Sequence, residues 1–220
     1  MNALITGGSR GIGKAVVDIF EKKGYEVFCP SRTVLDLSNS ISVEAFIQKY
    51  KNHCFDTVIN NAGINEVNFL EEVSDEELNR MLTVNLISPI KLLRGLIPGL
   101  KKSKAGRIVN IGSIWAVVSK EGRSLYSATK NGIYGITNTL ALELAPAGVL
   151  VNMVCPGYTL TEMTSKNNTE DQLNAITQNI PLGRMAEPFE IDNFVYFVGS
   201  EINTYITGQK LSIDGGFSIQ

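Results

Sequence analysis

Short, nearly continuous apolar runs alternate with longer amphipathic segments along the whole chain, and this alternation constrains the fold more than any other feature. The runs are brief and rich in β-branched residues, which is typical of strands buried on both faces of a parallel sheet. They predict strands at Asn2–Thr6, Glu26–Pro30, Thr57–Asn60, Arg107–Ile111, Leu150–Cys155 and Lys210–Ile213. The segments between them predict helices at Gly11–Lys23, Val43–Tyr50, Asp75–Leu100, Tyr126–Leu144, Glu170–Gln178 and Glu187–Phe197. Such alternation forms right-handed βαβ units, so we expect a doubly wound parallel α/β sheet flanked by helices.

No internal repeat, low-complexity tract or charged linker divides the 220 residues, which suit a single domain over residues 1–220. The segment Gly157–Pro181 is polar and weakly periodic, and we expect it to form a substrate flap. A formal net charge of −2 gives no electrostatic basis for a nucleic-acid or anionic-membrane partner. No apolar run reaches the ~18 residues of a membrane span, and the first residues lack a secretory pattern. We therefore expect a cytoplasmic protein.

Cysteine and histidine counts limit the chemistry that the chain can perform. The three cysteines, Cys29, Cys54 and Cys155, are widely spaced and suit neither a disulfide framework nor a zinc site. His53 is the one histidine, which disfavours His-based metal sites and catalytic triads. We expect no metal.

A glycine-rich segment, Thr6–Gly13 (TGGSRGIG), joins the first predicted strand to the first predicted helix. Glycines let the backbone approach a phosphate, and the helix N-terminus offers free N–H groups and a positive dipole end. Gly8–Lys14 also has the spacing of a triphosphate-binding loop, but Ala15 stands where that loop needs Ser or Thr to hold Mg²⁺. The segment therefore indicates a site for a nucleotide phosphate, and the alternative interpretation is a glycine turn that binds no ligand.

Five further motifs follow in order: Asn60-Asn61-Ala62-Gly63, Ser113, Tyr126-Ser127-Ala128-Thr129-Lys130, Pro156-Gly157 and Asp214-Gly215-Gly216. With the glycine-rich opening they resemble the short-chain dehydrogenase/reductase family, from Thr6 to Gly216. The resemblance implies a single Rossmann-like domain, a nicotinamide cofactor, and hydride transfer between that cofactor and an alcohol or ketone.

Four residues form the candidate catalytic group. Tyr126 and Lys130 are four positions apart on a predicted helix, so their side chains project from one face. A lysine ammonium about 4 Å away stabilises a phenolate by an energy on the order of 4 kcal/mol, which lets a tyrosine exchange a proton with a carbonyl or alcohol oxygen. Ser113, at the carboxyl end of a strand, can hydrogen-bond the same oxygen. The resemblance adds Asn85, which would hold a water that links Lys130 to solvent.

Taken singly, each of these four residues suits an ordinary surface, turn or helix position, and only their combined order favours catalysis. Ser113 is not the nucleophile of a serine hydrolase, because Ile111 stands where the nucleophile elbow requires glycine.

The residues after the second strand favour NADP over NAD. NAD enzymes of this type place an acidic residue there to bind the ribose hydroxyls, whereas this chain has Ser31 and Arg32, with Arg10 in the glycine-rich segment. Two guanidinium groups suit a 2′-phosphate; the alternative is that both arginines are solvated surface charges. By resemblance, the remaining cofactor contacts are Gly7, Ser9, Gly11, Ile12, Gly13, Asp36, Leu37, Asn61, Ala62, Gly63, Tyr126, Lys130, Pro156, Gly157, Thr159 and Thr161.

One departure from the family pattern concerns the adenine side of the pocket. Family members carry a helix between their second and third strands, but only Thr33–Leu35 separate Arg32 from Asp36-Leu37. The pair Asp36-Leu37 resembles the adenine-contacting pair that follows the third strand of the family. We therefore expect that helix to be absent and the adenine side to be more open.

The resemblance leaves the substrate open between 3-oxoacyl thioesters, as in 3-oxoacyl-carrier-protein reductases, and sugars or polyols. Carrier-protein reductases have basic residues at two docking positions, where this chain has Lys104 and Ala147, and the half-match disfavours a carrier protein. Lys120 and Arg123 can meet a phosphate or carboxylate on a substrate, although solvated loop charges explain them better.

Trp115 suits a pocket wall and a core position equally well. A non-catalytic dinucleotide-binding regulator is the alternative from a different functional class, and the complete catalytic group argues against it. The helices at Asp75–Leu100 and Tyr126–Leu144 resemble those through which family members associate, so we expect a homotetramer or homodimer.

Overall fold

The computed structural model, which describes residues 1–166 and 168–220, contains a parallel sheet with the strand order β2-β1-β3-β4-β5-β6. The strands are β1 (Asn2–Ile5), β2 (Glu26–Phe28), β3 (Thr57–Asn60), β4 (Arg107–Ile111), β5 (Leu150–Pro156) and β6 (Lys210–Ile213). The helices are α1 (Gly11–Lys22), α2 (Ser40–Tyr50), α3 (Asp75–Leu82), α4 (Ser88–Leu100), α5 (Ser124–Leu144), α6 (Glu162–Lys166), α7 (Glu170–Gln178) and α8 (Pro188–Gly199). The predicted doubly wound α/β fold is confirmed.

Successive side chains of a strand point to opposite faces of the sheet. Because the strands are apolar on both faces, helices cover both faces. On one face Leu4 and Val58 pack in a core with residues of α2, α4 and α5. On the other face Ile5 and Ile59 pack with residues of α1 and α8. The strands therefore lie in the middle of three layers, which explains why their sequences are almost continuously apolar.

The connection after β2 departs from the family pattern, as the predicted strands and the short spacing before Asp36 indicate. Residues 29–39 form neither a helix nor a strand, and the amides of Val34 and Leu35 donate to the Ser31 carbonyl oxygen in a turn. The helix expected to be missing before Asp36 is absent there. The strand placed before Asp36 by the family pattern is absent too, and this leaves β2 at the edge of the sheet. A helix does join β2 to β3, namely α2, close to its predicted position.

The segment Asp75–Leu100, predicted as one helix, contains a π-helical turn at Thr83–Ile87 between α3 and α4. Ser74 caps α3, since its hydroxyl accepts from the Glu77 amide. By length and composition alone this segment could cross a membrane, but leucines of α4 lie in the core between the sheet and α2.

The predicted flap, Gly157–Pro181, contains α7 at its predicted position and the additional short helix α6. Thr169 and Gln172 form a capping box at the start of α7, and Ile176 and Ile180 pack against Met185. Asn167 lies outside the described residues. The role of this segment as a flap stays a prediction.

Candidate active site

A cavity of about 330 Å³ lies at the carboxyl ends of β1, β3, β4 and β5. The chain leaves β1 for β2 on one side and returns to β3 on the other, so the cavity adjoins the topological switch point where ligands bind in open α/β sheets. Most of the predicted site residues line it: Gly7, Ser9, Arg10, Gly11, Ile12, Gly13, Asn61, Ala62, Gly63, Ser113, Tyr126, Lys130, Pro156, Gly157, Thr159 and Thr161.

The glycine-rich segment forms one end of the cavity by close backbone approach. Gly7 has φ +69°, and a Cβ there would lie 2.7 Å from the Ala62 Cα. A Cβ on Gly13 would overlap the Gly7 carbonyl oxygen. The N-terminus of α1 has no side-chain cap, so its first-turn N–H groups remain open to an anion. These features fit the pyrophosphate of a dinucleotide.

Thr6, which the sequence analysis did not assign to the site, joins the ends of β1 and β3. Its hydroxyl oxygen accepts from the amides of Asn61 and Ala62, each at 3.1 Å. The Asn61 side chain returns two bonds, donating to the carbonyl oxygens of Thr6 and Gly7 at 3.0 Å. The two loops therefore form one hydrogen-bonded wall. The sequence signal for this role is a polar residue directly after the apolar run Ala3–Ile5.

Tyr126 and Lys130 lie one turn apart on α5, as predicted. The Lys130 ammonium donates to the Ile111 carbonyl oxygen at 2.8 Å and lies 5.4 Å from the centre of the Tyr126 ring. Lys130 is buried although it lines the cavity. The carboxyl end of β4 thus holds the ammonium beside the tyrosine.

Asn85 lies in the π-helical turn, behind the cavity wall. Its Oδ1 accepts from the Ile64 amide at 2.9 Å, and its Nδ2 donates to the Ile64 carbonyl oxygen at 2.8 Å. A Cβ on Gly63 would lie 3.2 Å from Asn85 Oδ1 and 3.7 Å from Lys130 Nζ, so both side chains approach that glycine. π-Helical turns occur frequently at functional sites, and here the turn aims a polar side chain at the loop after β3.

Ser113 follows β4 and caps the short 3₁₀ turn Ile114–Ala116. Its hydroxyl oxygen accepts from the Trp115 amide at 3.3 Å, which leaves the hydroxyl proton available to a ligand. Ser113 and Tyr126 both line the cavity, so two hydroxyl groups are available on its wall.

The residues expected to select the cofactor are less closely gathered. Arg10 lines the cavity and pairs with Glu162 at 3.1 Å. Arg32 pairs with Asp36 at 3.3 Å, and hydrogen bonds from Ser38 hold the pKa of the Asp36 carboxyl below its ordinary value. Four predicted contacts are not among the cavity-lining residues: Ser31, Arg32, Asp36 and Leu37.

Arg123 and Trp115 extend the cavity beyond the predicted residues. The preferred interpretation of Arg123 as a solvated loop charge is wrong, because the residue is buried and lines the cavity. Lys120 is exposed, as expected. Trp115 is both buried and a wall residue, and it packs edge-to-face against Tyr158. Burial raises the pKa of the Tyr158 hydroxyl, so this hydroxyl stays protonated at physiological pH.

Comparisons with known proteins agree with this arrangement. The family model described as enoyl-(acyl carrier protein) reductase matches residues 29–218. The 3-oxoacyl-[acyl-carrier-protein] reductase of Vibrio harveyi is 34% identical, and the match covers 97% of this chain and 96% of that protein.

Solved structures show the same similarity. A short-chain dehydrogenase family protein of Francisella tularensis matches with a TM-score of 0.90 at 29% identity, covering 100% of this chain and 99% of that one. A protein described as an NAD(P)-dependent gluconate 5-dehydrogenase of Beutenbergia cavernae, with bound NADP at low occupancy, matches with a TM-score of 0.93 at 29% identity, covering 100% and 97%. The family predicted from the sequence motifs is confirmed: the chain belongs to the short-chain dehydrogenase/reductase family of oxidoreductases.

Proposed function

We propose that this protein is an NADP(H)-dependent oxidoreductase that interconverts a carbonyl compound and its alcohol, with Tyr126 as the general acid and base. One observation carries the proposal. Tyr126, with Lys130 beside it, lines the same cavity as Ser113 and the glycine-rich segment. A proton donor, a second hydroxyl and a phosphate cradle thus adjoin one space of suitable size for a cofactor's reactive end and a small substrate.

Each residue of the catalytic group has a distinct proposed role. The bound nicotinamide would supply the hydride for reduction or accept it for oxidation. In reduction, the Tyr126 hydroxyl gives its proton to the carbonyl oxygen as negative charge develops there. The Ser113 hydroxyl donates a hydrogen bond to the same oxygen. The Lys130 ammonium stabilises the phenolate that remains, and Asn85 would hold the water through which the proton is replaced.

Two features favour NADP as the cofactor. Arg10 lines the cavity at the glycine-rich segment. The residues directly after β2 include Arg32 and no acidic side chain that could accept hydrogen bonds from the ribose hydroxyls. The bound NADP of the similar Beutenbergia cavernae protein supports the same choice. The dissociation constants of NADPH and NADH, measured by fluorescence titration, test it. We expect NADPH to bind about tenfold more tightly or better, and a preference for NADH would contradict the assignment.

Two substrate classes follow from the similar proteins: a 3-oxoacyl thioester from the Vibrio harveyi enzyme, and a sugar acid from the protein described as a gluconate dehydrogenase. The initial rate of NADPH oxidation with an acetoacetyl thioester and with 5-ketogluconate discriminates between them. Tyr126→Phe is the control, since it keeps the ring and removes the proton donor. We expect its kcat to fall by roughly 10²- to 10⁴-fold with an unchanged Kd for NADPH.

Wild-type kcat in the Tyr126→Phe variant would contradict the mechanism. NADPH binding without turnover on any carbonyl compound would identify a dinucleotide-binding regulator.

We further propose a cytoplasmic homotetramer or homodimer that associates through α4 and α5. Leu142 is 79% exposed on α5, and Ile87, directly before α4, is exposed as well. Burial of such side chains against a second copy is favourable. Light scattering measures the assembly, and a monomer at micromolar concentration would contradict it.

A further inference from the structure

Arg123 is a buried cation on the wall of the candidate active site. It is 5% exposed, lines the cavity, and precedes α5 as its N-cap residue, three positions before Tyr126. Arg123 and Tyr126 line the same cavity, so the guanidinium group borders the space in which the reacting carbonyl must meet the Tyr126 hydroxyl.

The guanidinium group has few partners for a buried charge. Its Nη1 donates to Asn65 Oδ1 at 2.7 Å, and its central carbon lies 5.8 Å from the centre of the Trp115 ring. Its Nε is buried and has no hydrogen-bond partner within the described residues. Arg123 is also absent from the ion pairs formed by residues 1–166 and 168–220.

A second buried arginine shows what a purely structural role looks like in this protein. Arg107 donates from Nε and both terminal nitrogens to the backbone carbonyl oxygens of Gly106, Ser200 and Asn203. Its charge is buried, but its donors are satisfied by the fold. In the part of the chain that the structure describes, Arg123 has one side-chain acceptor, Asn65 Oδ1, and its Nε has none. Burial of a charge without an anion or a full set of hydrogen-bond acceptors is unfavourable. A bound ligand that brings an acceptor would therefore complete the hydrogen bonds of the Arg123 guanidinium group.

The surroundings indicate what kind of ligand this is. Trp115, Tyr158 and Phe217 form an edge-to-face aromatic cluster next to the guanidinium group. Burial lowers the pKa of Arg123 but leaves the group charged at neutral pH. A buried guanidinium group on a cavity wall binds an anionic oxygen group strongly, whereas the cofactor's phosphates fit the glycine-rich segment.

We propose that Arg123 binds the carboxylate of the substrate, and that the substrate is a short oxo acid or hydroxy acid whose carboxylate lies a few bonds from the reacting carbon. This inference rests on the proposed function and refines it by defining the substrate class. Arg123 is then a specificity-determining residue: it holds the acid group while Tyr126 and Ser113 hold the carbonyl oxygen.

The test uses Trp115, which is the one tryptophan of the chain and lies against Arg123. The protein, saturated with NADP⁺, is titrated with acetoacetate and with its neutral methyl ester while the tryptophan emission is recorded. NADP⁺ cannot reduce either ligand, so the experiment measures binding alone. We expect acetoacetate to bind about tenfold more tightly than methyl acetoacetate or better.

Three variants make the test specific. Arg123→Gln should weaken acetoacetate binding by about tenfold or more and leave the ester almost unchanged. Arg123→Lys, which keeps the charge, should retain part of the preference and serves if the glutamine variant does not fold. Lys120→Gln removes an exposed charge three positions earlier and should retain the full preference. The Kd for NADP⁺ verifies that each variant is folded.

Equal affinity for the acid and the ester overturns the inference, as does a preference that persists in Arg123→Gln or a lack of saturable acetoacetate binding at millimolar concentration. Rates of NADPH oxidation separate this result from the proposed function. If the preference for acetoacetate over the ester depends on Arg123 but no carbonyl compound is turned over, the carboxylate site is supported and the oxidoreductase proposal is refuted. If neutral carbonyl compounds are turned over and acetoacetate is not preferred, the oxidoreductase proposal is supported and the carboxylate site is refuted.

Discussion

Lys130 and Arg32 are both cations that the sequence assigns to the candidate site, but they stand in opposite physical situations. Lys130 is 5% exposed and hydrogen-bonded to the backbone of β4. The Arg32 side chain is 81% exposed and pairs with a nearby carboxylate on the same loop. The same contrast separates the catalytic group from the residues expected to select the cofactor. Asn85 and Ser113 are buried like Lys130, whereas the Arg10 side chain is 73% exposed.

This difference in burial determines which functions the catalytic group and the exposed arginines can perform. A buried charge acts through a low effective dielectric and is held in one geometry by its hydrogen bonds, so it can stabilise a phenolate at a defined place. An exposed charge is screened by salt and competes with water, and an exposed ion pair contributes about 0–1 kcal/mol. The catalytic end should therefore tolerate little change, and the cofactor-selecting end should be tunable.

Among variants that test this contrast between buried and exposed groups, Lys130→Met should have the largest effect, because it removes the charge and nearly conserves the volume. We expect kcat to fall by roughly 10²-fold or more. Lys210→Met is the matched control, because the Lys210 ammonium also donates to a backbone carbonyl oxygen, that of Ala116, and lies 4.5 Å from the centre of the Tyr134 ring. Lys210 is not among the cavity-lining residues.

Steady-state kinetics and thermal unfolding of the two methionine variants give the comparison. If both variants lose similar stability but only Lys130→Met loses activity, Lys130 has a catalytic role that Lys210 lacks. Equal activity in both variants would remove the catalytic role from Lys130.

Gly13→Ala should produce the next largest effect, because its Cβ would overlap the Gly7 carbonyl oxygen and the Asn61 amide group. Overpacking of this kind costs about 1–3 kcal/mol of unfolding free energy, and displacement of the glycine-rich segment should raise the Kd for NADPH. Gly135→Ala is the control, since a Cβ on Gly135 of α5 meets nothing within 4 Å.

An alanine at position 135 should instead stabilise the helix by about 0.5–1 kcal/mol without a change in cofactor binding. Urea unfolding and NADPH titration measure both quantities. If the two alanine variants behave alike, the close approach of the loops is not what positions the cofactor.

Asn85→Leu tests whether the hydrogen bonds behind the cavity wall hold the loop after β3. The leucine leaves the Ile64 amide and carbonyl oxygen without their partner, which should cost about 1–3 kcal/mol of unfolding free energy. Asn193→Ala removes an exposed bond to the Phe189 carbonyl oxygen within α8 and should change stability by about 0.5 kcal/mol at most. Equal values for the two variants in urea unfolding would show that Asn85 is not a structural support.

The sequence predicts the catalytic end more completely than the rest because local pattern specifies it. The spacing of Tyr126 and Lys130 places both on one helix face, and the apolar runs identify the strand ends that carry Ser113 and Asn61. The buried Arg123 guanidinium group donates to Asn65, which lies 58 positions away in the chain, and no local pattern encodes that contact. The π-helical turn at Asn85 is likewise hidden inside a continuous helical periodicity.

For the loop after β2, the sequence predicts the missing elements but not the orientation of the side chains. The apolar runs predict no strand between Pro30 and Thr57, and the short spacing before Asp36 leaves no room for a helix there. Without a strand there, β2 becomes an edge, and Ser31 and Arg32 lie on an exposed turn instead of between two strands. Their contacts with a cofactor therefore depend on solvent-exposed side chains that the packing of the core does not orient.

The smallest expected effect lies at this exposed end. Arg32→Ser should raise the KM for NADPH by about 3- to 10-fold and leave that for NADH unchanged, because one screened charge is lost. Asp36→Asn should act in the opposite direction, since it releases Arg32 from its present ion pair. Arg94→Ser, at an exposed position on α4, is the control. Raising the salt concentration should reduce the NADPH preference of the wild type toward that of Arg32→Ser.

If Arg32→Ser raises the KM values for NADPH and NADH equally, Arg32 contacts a part shared by the two cofactors. The exposed residues after β2 would then bind the cofactor without selecting between its two forms.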